Sequence, residues 1–358
     1  MKWQHTFRNP RLPILMMMCL CLVFSLILSS LEVRADNHTV DELKFASWNV
    51  RILSDGSRDD AELKKIANVL TDYDFISIVE LRDEKVLKRL QTILKAMGKN
   101  YDYDISAAVG RGVKERVAFF YNPAFIEVVQ AGQIYPDDAD GKDDFIRDPY
   151  WATFRAGKFD FSVIAVHIVW GSRVGDRRDE IMALAPVYAH VQKENGPDED
   201  DILLVGDFNR DPGDLKAFGA LMAMPSMTSL FQLPQKSHIK DSSLYDNILF
   251  QSDYVTEYTG TNGIDKFDET DFANDDKAAN DAVSDHRPVW ATFRINTDDD
   301  GQIGDVTGDG KVDVLDLVVV AANFGNPKAM PAADVNGDGA VDRKDVLAIV
   351  EALEAARE

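Results

Sequence analysis

Cysteine is almost absent from this chain of 358 residues, and its two copies are poorly placed to stabilise a fold. Both, Cys19 and Cys21, lie in an apolar run near the N-terminus. A chain that loses this segment has no cysteine left and forms no disulfide, although export to an oxidising compartment commonly brings disulfides to small domains. Packing and bound cations must therefore hold the fold together.

Basic residues are also in short supply. The chain has 39 Lys and Arg against 61 Asp and Glu, a formal net charge of −22. Without residues 1–35 the count becomes 35 basic and 60 acidic residues, a net charge of −25. This charge favours solubility and disfavours non-specific binding to nucleic acid. A polyanionic substrate therefore requires a local basic groove on an acidic body.

A long apolar run occupies residues 12–31. Basic residues precede it and Val33-Arg34-Ala35 follows it, the layout of a secretory signal peptide cleaved after Ala35. The alternative is an uncleaved anchor, because the run is nearly long enough to span a bilayer. Pro13 and the serines near Leu31 favour cleavage. We therefore expect a signal peptide at 1–35 and a secreted chain with no stable membrane insertion.

The stretch Asp201–Pro212 contains a pattern typical of phosphate chemistry. A short apolar run at 202–205 predicts a buried strand, and Gly206 permits a sharp turn after it. Asp207 and Asn209 follow; in an extended chain, residues i and i+2 point to the same side. A carboxylate suits a hard divalent cation, and an amide suits a phosphate oxygen. An ordinary turn after a strand is the alternative.

The apolar periodicity predicts alternating strands and helices along the main part of the chain. Strands are expected at 43–50, 75–79, 101–107, 116–121, 125–129, 150–154, 159–168, 202–205, 245–250 and 289–295. Helices are expected at 60–70, 85–97, 177–193 and 215–222, and an acidic loop at 267–280. This mixed order predicts sheets covered by helices, an α/β (α+β) fold.

Polar residues recur at the predicted strand ends or at the turns beside them. Such a gathering at the rim of a sheet predicts a functional site. The eight positions are Asn49, Glu80, His167, Asp207, Asn209, Asp246, Asp285 and His286. A single one of them carries little information, since a lone Glu or His is usually a surface or structural residue. Eight in one order are hard to ascribe to chance.

Four motifs connect these positions to a known family. They are Ser47-Trp48-Asn49, Ile78-Val79-Glu80, Gly206-Asp207-Phe208-Asn209 and Ser284-Asp285-His286-Arg287-Pro288. Residues 43–295 resemble the endonuclease/exonuclease/phosphatase superfamily, which consists of metal-dependent phosphoesterases built as four-layer α/β sandwiches. Segments 80–83, 114–116, 145–149, 165–167 and 245–246 are similar to the deoxyribonuclease I branch. The resemblance implies two packed mixed sheets flanked by helices.

The resemblance also implies a metal site. Glu80 corresponds to the principal ligand of Mg²⁺ (or Mn²⁺), with Asn49 and Asp285 close to the ion. Oxygen ligands and waters suit this hard cation. Asp207 and Asn209 correspond to residues that orient the water or the phosphate and contribute to the metal site.

Two general acid/base pairs follow from the same resemblance, His286 with Asp246 and His167 with Glu115. A buried carboxylate beside each imidazole fixes its tautomer and raises its pKa. The sequence leaves open which histidine is the base. His238 and the other histidines are expected to have no role in the site.

Four residues correspond to positions that contact the nucleic-acid backbone in the resembled family: Arg82, Arg111, Arg147 and Tyr245. Further arginines near the motif loops, among them Arg178, Arg210 and Arg287, are expected to add to a basic groove. The segment His167-Ile168-Val169-Trp170 departs from the small polar loop of the pancreatic-type enzymes. This loop therefore leaves the exact substrate open.

The C-terminal part contains an internal repeat. A pattern of acidic and small polar residues recurs 29 residues later with a Gly at the same place, at Gly310 and Gly339. It matches positions 1, 3, 5, 7, 9 and 12 of a calcium-binding loop, with the backbone carbonyl acting at position 7. The predicted Ca²⁺ ligands are Asp305, Thr307, Asp309, Lys311, Asp313 and Asp316, then Asp334, Asn336, Asp338, Ala340, Asp342 and Asp345.

Because Asp stands at position 12 where an EF-hand has Glu, the repeat resembles a type I dockerin. An apolar helix is expected after each loop, at 315–323 and 346–353. The resemblance implies binding to a cohesin domain of a scaffold or cell-surface protein. The predicted organisation is a signal peptide at 1–35, a catalytic domain at 36–296, a linker at 297–303 and a dockerin-like domain at 304–358.

Three functions remain open at this point. The first is a secreted Mg²⁺-dependent endonuclease of the deoxyribonuclease I type. The second is a phosphatase or sphingomyelinase-like phospholipase of the same superfamily. The third is a non-catalytic assembly or adhesion protein whose dockerin does the work; the presence of all eight site residues argues against it.

Overall fold

The computed structural model describes residues 42–137, 141–196, 201–295, 304, 306–307, 312–326, 331–336 and 340–355. The predicted signal peptide and its alternative, an anchor, lie outside these residues, as does the predicted linker at 297–303. Within the described residues, every helix is too short or too polar to cross a membrane.

Twelve strands form two six-stranded sheets in the described part of the chain. The first contains β1 (Glu42–Leu53), β2 (Phe75–Leu81), β3 (Asp102–Ile105), β4 (Arg116–Tyr121), β11 (Tyr258–Ile264) and β12 (Val289–Arg294), in the order β11-β12-β1-β2-β4-β3. The second contains β5 (Ile126–Ile134), β6 (Tyr150–Ala156), β7 (Phe159–His167), β8 (Ile202–Asp207), β9 (Met227–Ser229) and β10 (Asp246–Gln251), in the order β5-β6-β7-β8-β10-β9. Both sheets are mixed, since β1–β2 and β7–β8 are parallel pairs among antiparallel ones.

The two sheets pack face to face through an aromatic core. Phe45 and Phe75 of the first sheet stack with their ring centroids 4.9 Å apart. Phe75 also meets Phe154 of the second sheet edge to face at 4.8 Å and Phe161 at 5.5 Å. Such aromatic pairs stabilise the core beyond the contribution of the apolar area that they bury. The alternation of apolar residues in these strands is therefore explained by one shared core.

Helices cover the outer face of each sheet. The first sheet packs against α1 (Asp60–Leu70) and α2 (Glu84–Ala96), and the second against α3 (Val174–Met182), α4 (Leu184–Asn195) and α5 (Leu215–Met222). Asp59 and Glu62 form a reciprocal capping box at the start of α1, which fixes its first turn. The resulting order of helix, sheet, sheet and helix is the predicted four-layer α/β sandwich.

Some sequence predictions of secondary structure were wrong. The helix expected at 177–193 is divided into α3 and α4 at Ala183. Pro186, in the first turn of α4, has no N–H to donate to the preceding turn, and a first turn is where proline is tolerated. The acidic loop expected at 267–280 contains two short helices, α6 (Phe267–Thr270) and α7 (Asp276–Ala282). The side chain of Asp275 caps α7.

The described C-terminal residues have a hydrophobic cluster of their own. Its helices are α8 (Val314–Asn323) and α9 (Arg343–Ala355), with a single 3₁₀ turn at Pro331–Ala333. Six residues make up its core: Val306, Val312, Val320, Ala333, Val341 and Ile349. A core this small is marginal without further ties.

Candidate active site

The strand register brings the predicted catalytic residues of the second sheet side by side. His167 at the end of β7 is paired with Asp207 at the end of β8, and Asp246 at the start of β10 is paired with Asp207 from the other side. Gly206 has φ +136°, and a Cβ there would lie 2.0 Å from the Val166 carbonyl oxygen. Only glycine allows β8 to pass β7 so closely just before Asp207.

Asp207 lies at the centre of the site and is 1% exposed. Its Oδ2 accepts a hydrogen bond from the Asn49 amide at 3.0 Å, and Oδ1 accepts one from the Asn209 backbone N–H at 2.8 Å. The Nε2 atoms of His167 and His286 each lie 3.8 Å from Oδ2. Residues from both sheets therefore converge on one carboxylate oxygen, as the strand ends predicted.

Each of these histidines is held by a buried carboxylate through Nδ1. His167 Nδ1 lies 2.6 Å from Glu115 Oε2, and His286 Nδ1 lies 2.8 Å from Asp246 Oδ2. Both imidazoles therefore direct Nε2 toward Asp207, which is the orientation that general acid/base chemistry requires.

The carboxylates shift the protonation of the His286 pair. Burial alone would lower the pKa of His286, but the charges of Asp246 and Asp207 raise it to about 10. Burial raises the pKa of Asp246, against the opposing effect of His286. A cation bound beside Asp207 would offset part of the negative charge that His286 feels.

Glu115 is the centre of a second charge cluster. Its Oε1 lies 3.2 Å from Arg82 Nη2 and accepts a hydrogen bond from Arg147 Nη2 at 3.1 Å. Although burial raises the pKa of Glu115, His167 and the two arginines outweigh it and hold the pKa below its usual value. Glu115 is therefore ionised when it orients His167.

Glu80 stands at the end of β2 in a strained backbone conformation. Its φ is +60°, and Asn209 across the site has φ +49°. Glu80 Oε1 accepts from Asn49 Nδ2 at 3.0 Å, and Oε2 accepts from the Ile52 N–H at 3.0 Å. Left-handed backbone at non-glycine residues is unfavourable and is concentrated at functional sites. Glu80 Oε1 lies 3.9 Å from His167 Nε2.

The segment before β12 brings Asp285 and His286 to the first sheet. The Ser284 hydroxyl donates to the Asn49 carbonyl oxygen at 2.6 Å, and the Trp48 indole N–H donates to the His286 carbonyl oxygen at 2.7 Å. Asp285 Oδ1 lies 3.9 Å from Arg51 Nε. The motif residues Ser284 and Trp48 thus have a structural task, which is to lock the chain at the site.

These residues line one cleft with a volume of about 350 Å³. Most predicted site residues lie on its surface, and Asn49 and Asp246 lie buried directly behind it. The predicted contact residues Arg82, Arg147 and Tyr245 line the cleft, whereas Arg111 is not among its lining residues and pairs with Asp143. The roles of all these residues in catalysis and binding stay predictions.

Several arginines that were expected to add to a basic groove have other partners. Arg287 is 1% exposed and forms a bidentate ion pair with Asp268. Arg178 and Arg210 both donate to Asp214. The positive charge at the cleft comes from Arg51, Arg82 and Arg147 instead.

Sequence reasoning missed four lining residues, Arg51, Ile52, Trp170 and His238. His238 had been expected to have no role, yet its ring lies 5.8 Å from that of His286 because the backbones of the two residues form an isolated bridge. No local pattern distinguishes it from an ordinary surface histidine. Trp170 did carry a signal, because its loop departs from the resembled family.

The donor set of the cleft fits a hard divalent cation. Glu80, Asp207 and Asp285 supply carboxylate oxygens at its surface, and Asp207, Asp246 and His286 form a cluster whose ligand atoms lie within 4.8 Å of one another. Asn49 directs its amide nitrogen at Glu80 and Asp207, while its oxygen accepts from the Arg51 N–H at 2.9 Å. Oxygen-rich clusters of this kind suit Mg²⁺ or Mn²⁺.

A four-layer sandwich with carboxylates and histidines gathered at one rim is the architecture of metal-dependent hydrolases that act on phosphoester bonds. The profile of the endonuclease/exonuclease/phosphatase family matches residues 46–286, and that of the type I dockerin domain matches residues 303–354. The chain belongs to the endonuclease/exonuclease/phosphatase family and carries a type I dockerin domain.

Individual relatives agree with this assignment. The chain is 32% identical over 289 residues to a deoxyribonuclease of Thioalkalivibrio sp. (strain K90mix), covering 77% of this chain and 77% of that protein. It is 27% identical over 267 residues to deoxyribonuclease-1 of Bos taurus, covering 70% of this chain and 92% of that protein. The fold is similar to that of a humanized D. rerio TDP2, with a TM-score of 0.51, 14% identity, and coverage of 71% and 99% of the two chains.

The two dockerin repeats share one local geometry. Asp316 accepts the backbone N–H groups of Thr307 and Asp313, both at 2.8 Å. Asp345 accepts those of Asn336 and Asp342, at 3.1 and 2.7 Å. These matching contacts show that Asp316 and Asp345 hold equivalent places in the two repeats. Asp305, Asp309, Lys311 and Asp338 lie outside the described residues.

Proposed function

We propose that the protein is a secreted endonuclease of the deoxyribonuclease I type that hydrolyses DNA with the help of Mg²⁺ or Mn²⁺. The observation that supports this most directly is the convergence of His167 and His286 on one oxygen of Asp207, each histidine held by its own carboxylate. Two histidines on one cleft supply the two proton transfers that phosphodiester hydrolysis needs.

In the proposed reaction, a water oxygen attacks phosphorus and the bond to the 3′ oxygen breaks, leaving a 5′-phosphate. One histidine accepts the proton of the water while the other donates a proton to the leaving oxygen. Glu115 and Asp246 keep each ring in the tautomer that points Nε2 into the cleft. Asn209 is held by its amide donation to the Ile168 carbonyl oxygen at 2.8 Å and lines the cleft in which the phosphate would lie.

Glu80 and Asp285 would hold the cation, with Asp207 and Asn49 next to it. The bound ion supplies charge neutralisation on the phosphate oxygens and favours deprotonation of the attacking water. Asn49 links two of these carboxylates, because its amide nitrogen donates to both Glu80 and Asp207.

DNA is the favoured substrate for two reasons. Relatives that align over most of the chain are named deoxyribonucleases. Arg82 and Arg147 line the cleft on an otherwise acidic protein, and with a cation bound beside the cleft carboxylates their guanidinium groups would contact the phosphodiester backbone. We expect binding that weakens strongly with salt.

The dockerin domain would attach the enzyme to a cohesin on a scaffold or cell-surface protein. We propose Ca²⁺ as the ion of its two loops, a signal peptide at 1–35, a catalytic domain at 36–296, a linker at 297–303 and a dockerin-like domain at 304–358. The matching contacts of Asp316 and Asp345 support two calcium loops of the same type. Export followed by tethering places the enzyme outside the cell.

The test is nicking of supercoiled plasmid by the purified full chain in Mg²⁺, with EDTA and His286→Ala as controls. We expect nicking that both controls abolish. If the protein releases phosphate or choline phosphate from other esters and does not nick the plasmid, it is a phosphatase or phospholipase and the proposed nuclease function is wrong. Calcium-dependent cohesin binding with no ester hydrolysis would leave only the assembly function.

A further inference from the structure

Trp170 is a large apolar side chain exposed at the edge of a charged cleft. It follows His167 by three residues and is 61% exposed, whereas Trp48 and Trp151 are buried in the core. An indole at the rim of a catalytic cleft gains free energy when a ligand covers it, because apolar surface then leaves water.

The indole is supported by its neighbours. The guanidinium carbon of Arg177 lies 5.0 Å from the centre of the ring, and Arg177 is only 8% exposed. Arg177 Nη1 also donates to the Asn209 carbonyl oxygen at 3.3 Å, which ties it to the catalytic motif. The cation–π contact therefore anchors Trp170 to a buried group of the site.

Tyr245 extends this aromatic surface along the cleft. Its ring centroid lies 5.9 Å from that of Trp170, with the planes inclined at 57°. Tyr245 directly precedes Asp246, the carboxylate that holds His286. Trp170, Tyr245 and His286 line the same cleft, so a strand whose phosphate lies beside His286 would pass this aromatic surface.

A nucleobase fits this surface. Bases stack on aromatic side chains whatever their sequence, because every base has a π face. In an intact duplex both faces of a base are occupied by its neighbours, so a side chain gains access only to a base that has left the stack.

We propose that Trp170, supported by Arg177 and Tyr245, is a stacking platform for the base next to the scissile phosphate. The site then favours single strands, and duplexes with unstacked bases, over intact duplex DNA. This inference rests on the proposed function, since it requires a nucleic-acid substrate.

The test compares Trp170→Ala with Trp170→Phe, and uses Leu215→Ala as the matched control. Leu215 is an exposed apolar residue that lines a different surface depression. The substrates are a single-stranded oligonucleotide in Mg²⁺ and the same strand with abasic sugars on both sides of the cleaved bond. The readout is kcat/KM for the full-length protein.

We expect Trp170→Ala to lower kcat/KM on the normal single strand by roughly 5- to 150-fold, the range of one base–aromatic stack. Trp170→Phe should retain most of the activity, and Leu215→Ala all of it. The abasic strand should be cleaved equally by the wild type and by Trp170→Ala. An intact duplex should respond less to the substitution than the single strand does.

Equal losses on the normal and the abasic strand would overturn the platform and indicate a contact with sugar or phosphate. A second experiment follows tryptophan fluorescence with phosphatidylglycerol vesicles and, separately, with an oligonucleotide in EDTA. A blue shift with the vesicles alone, which Trp170→Phe abolishes, would show that Trp170 contacts a membrane instead of a base. A wild type that cleaves no DNA defeats the proposed function; cleavage that is insensitive to Trp170→Ala defeats this inference alone.

Discussion

At the residue scale, the two carboxylates behind the histidines do different work. Asp246 is 1% exposed and holds His286 through Oδ2. Glu115 holds His167 and at the same time gathers Arg82 and Arg147 at the edge of the cleft. Under the proposed function, Glu115 would therefore connect the histidine that transfers a proton with the arginines that bind the substrate.

Glu115→Gln should lower kcat by about 10²- to 10⁴-fold, the contribution of one positioned acid/base group. The amide of glutamine lacks the negative charge of Glu115. In the wild type that charge orients His167 and pairs with Arg82 and Arg147. Glu127→Gln is the matched control, because Glu127 is an exposed residue whose partner Arg155 lies 3.2 Å away and outside the cleft. Steady-state kinetics on DNA measure both. Equal activity of the two variants would contradict the role of Glu115.

Arg147 and Arg111 make a second paired test. Arg147 lines the cleft and Arg111 does not, although the sequence predicted that both contact the backbone of the nucleic acid. Arg147→Ala should reduce the slope of log Kd against log salt by about 1, as expected for one lost phosphate contact. Arg111→Ala should leave the slope unchanged. The measurement is binding of an oligonucleotide in EDTA across a range of salt concentrations. Equal slopes for the two variants would contradict a phosphate contact made by Arg147 alone.

The residue scale also shows where sequence reasoning reached its limit. Asp207, His167 and Asp246 could be predicted to meet, because strand ends in register share one edge of a sheet. The direction of the Asn49 amide, with its nitrogen toward the carboxylates, depends on the Arg51 N–H and has no sequence signature. His238 reaches the cleft through a long loop, which local patterns do not describe.

At the scale of secondary-structure elements, predictions succeeded where a buried face gave the sequence a clear period. The bounds of α1, β4 and α5 agree with the expected ones. The strand β11 was missed because its sequence, Tyr-Thr-Gly-Thr-Asn-Gly-Ile, is polar and glycine-rich and lies at the edge of a sheet. Pro186 lies close to the boundary between α3 and α4. The sequence therefore contained a signal for this boundary, and the single helix expected at 177–193 was a wrong interpretation of it.

Asp265, which follows β11, gives a prediction about pH and stability. Burial raises its pKa, although the Tyr73 hydroxyl donates to it at 2.7 Å and opposes the shift. With a raised pKa in the folded state, the contribution of Asp265 to stability is present in acid and is lost as pH rises through that pKa.

Asp265→Asn keeps an oxygen for the Tyr73 hydroxyl and removes the charge. The variant should therefore be more stable than the wild type at pH 7, and the difference should shrink as the pH falls toward the usual carboxyl value of 3.8. Urea unfolding at several pH values measures this difference, and Asp253→Asn, at an exposed carboxyl, is the control. A difference that grows in acid would show that the sign is wrong.

At the scale of the whole molecule, the main part of the chain has a large core and the described C-terminal residues have a small one. The main part buries an aromatic core between two sheets, whereas the C-terminal unit buries six small or aliphatic residues. The repeat could be predicted from its spacing, because each calcium loop places oxygen ligands at fixed positions. The apolar runs after the two loops predicted the helices α8 and α9.

Removal of Ca²⁺ should therefore unfold the C-terminal unit and leave the main domain folded. A ligand present at 100 times its Kd stabilises by about 2.7 kcal/mol, a large share of what so small a unit can have. Scanning calorimetry of the full chain should show two transitions, and EGTA should lower only one of them. Asp345→Ala should reproduce part of this shift in Ca²⁺. A single transition that moves as a whole would contradict two independent units.

The central claim is that carboxylates from both sheets hold one divalent cation between the His167 and His286 pairs. Anomalous diffraction from crystals soaked in Mn²⁺ measures this directly. We predict a peak in the cleft within about 2.5 Å of oxygens of Glu80 and Asp285, a typical reach for oxygen ligands. Mn²⁺ bound only elsewhere, with this cleft empty at saturating Mn²⁺, would contradict the account.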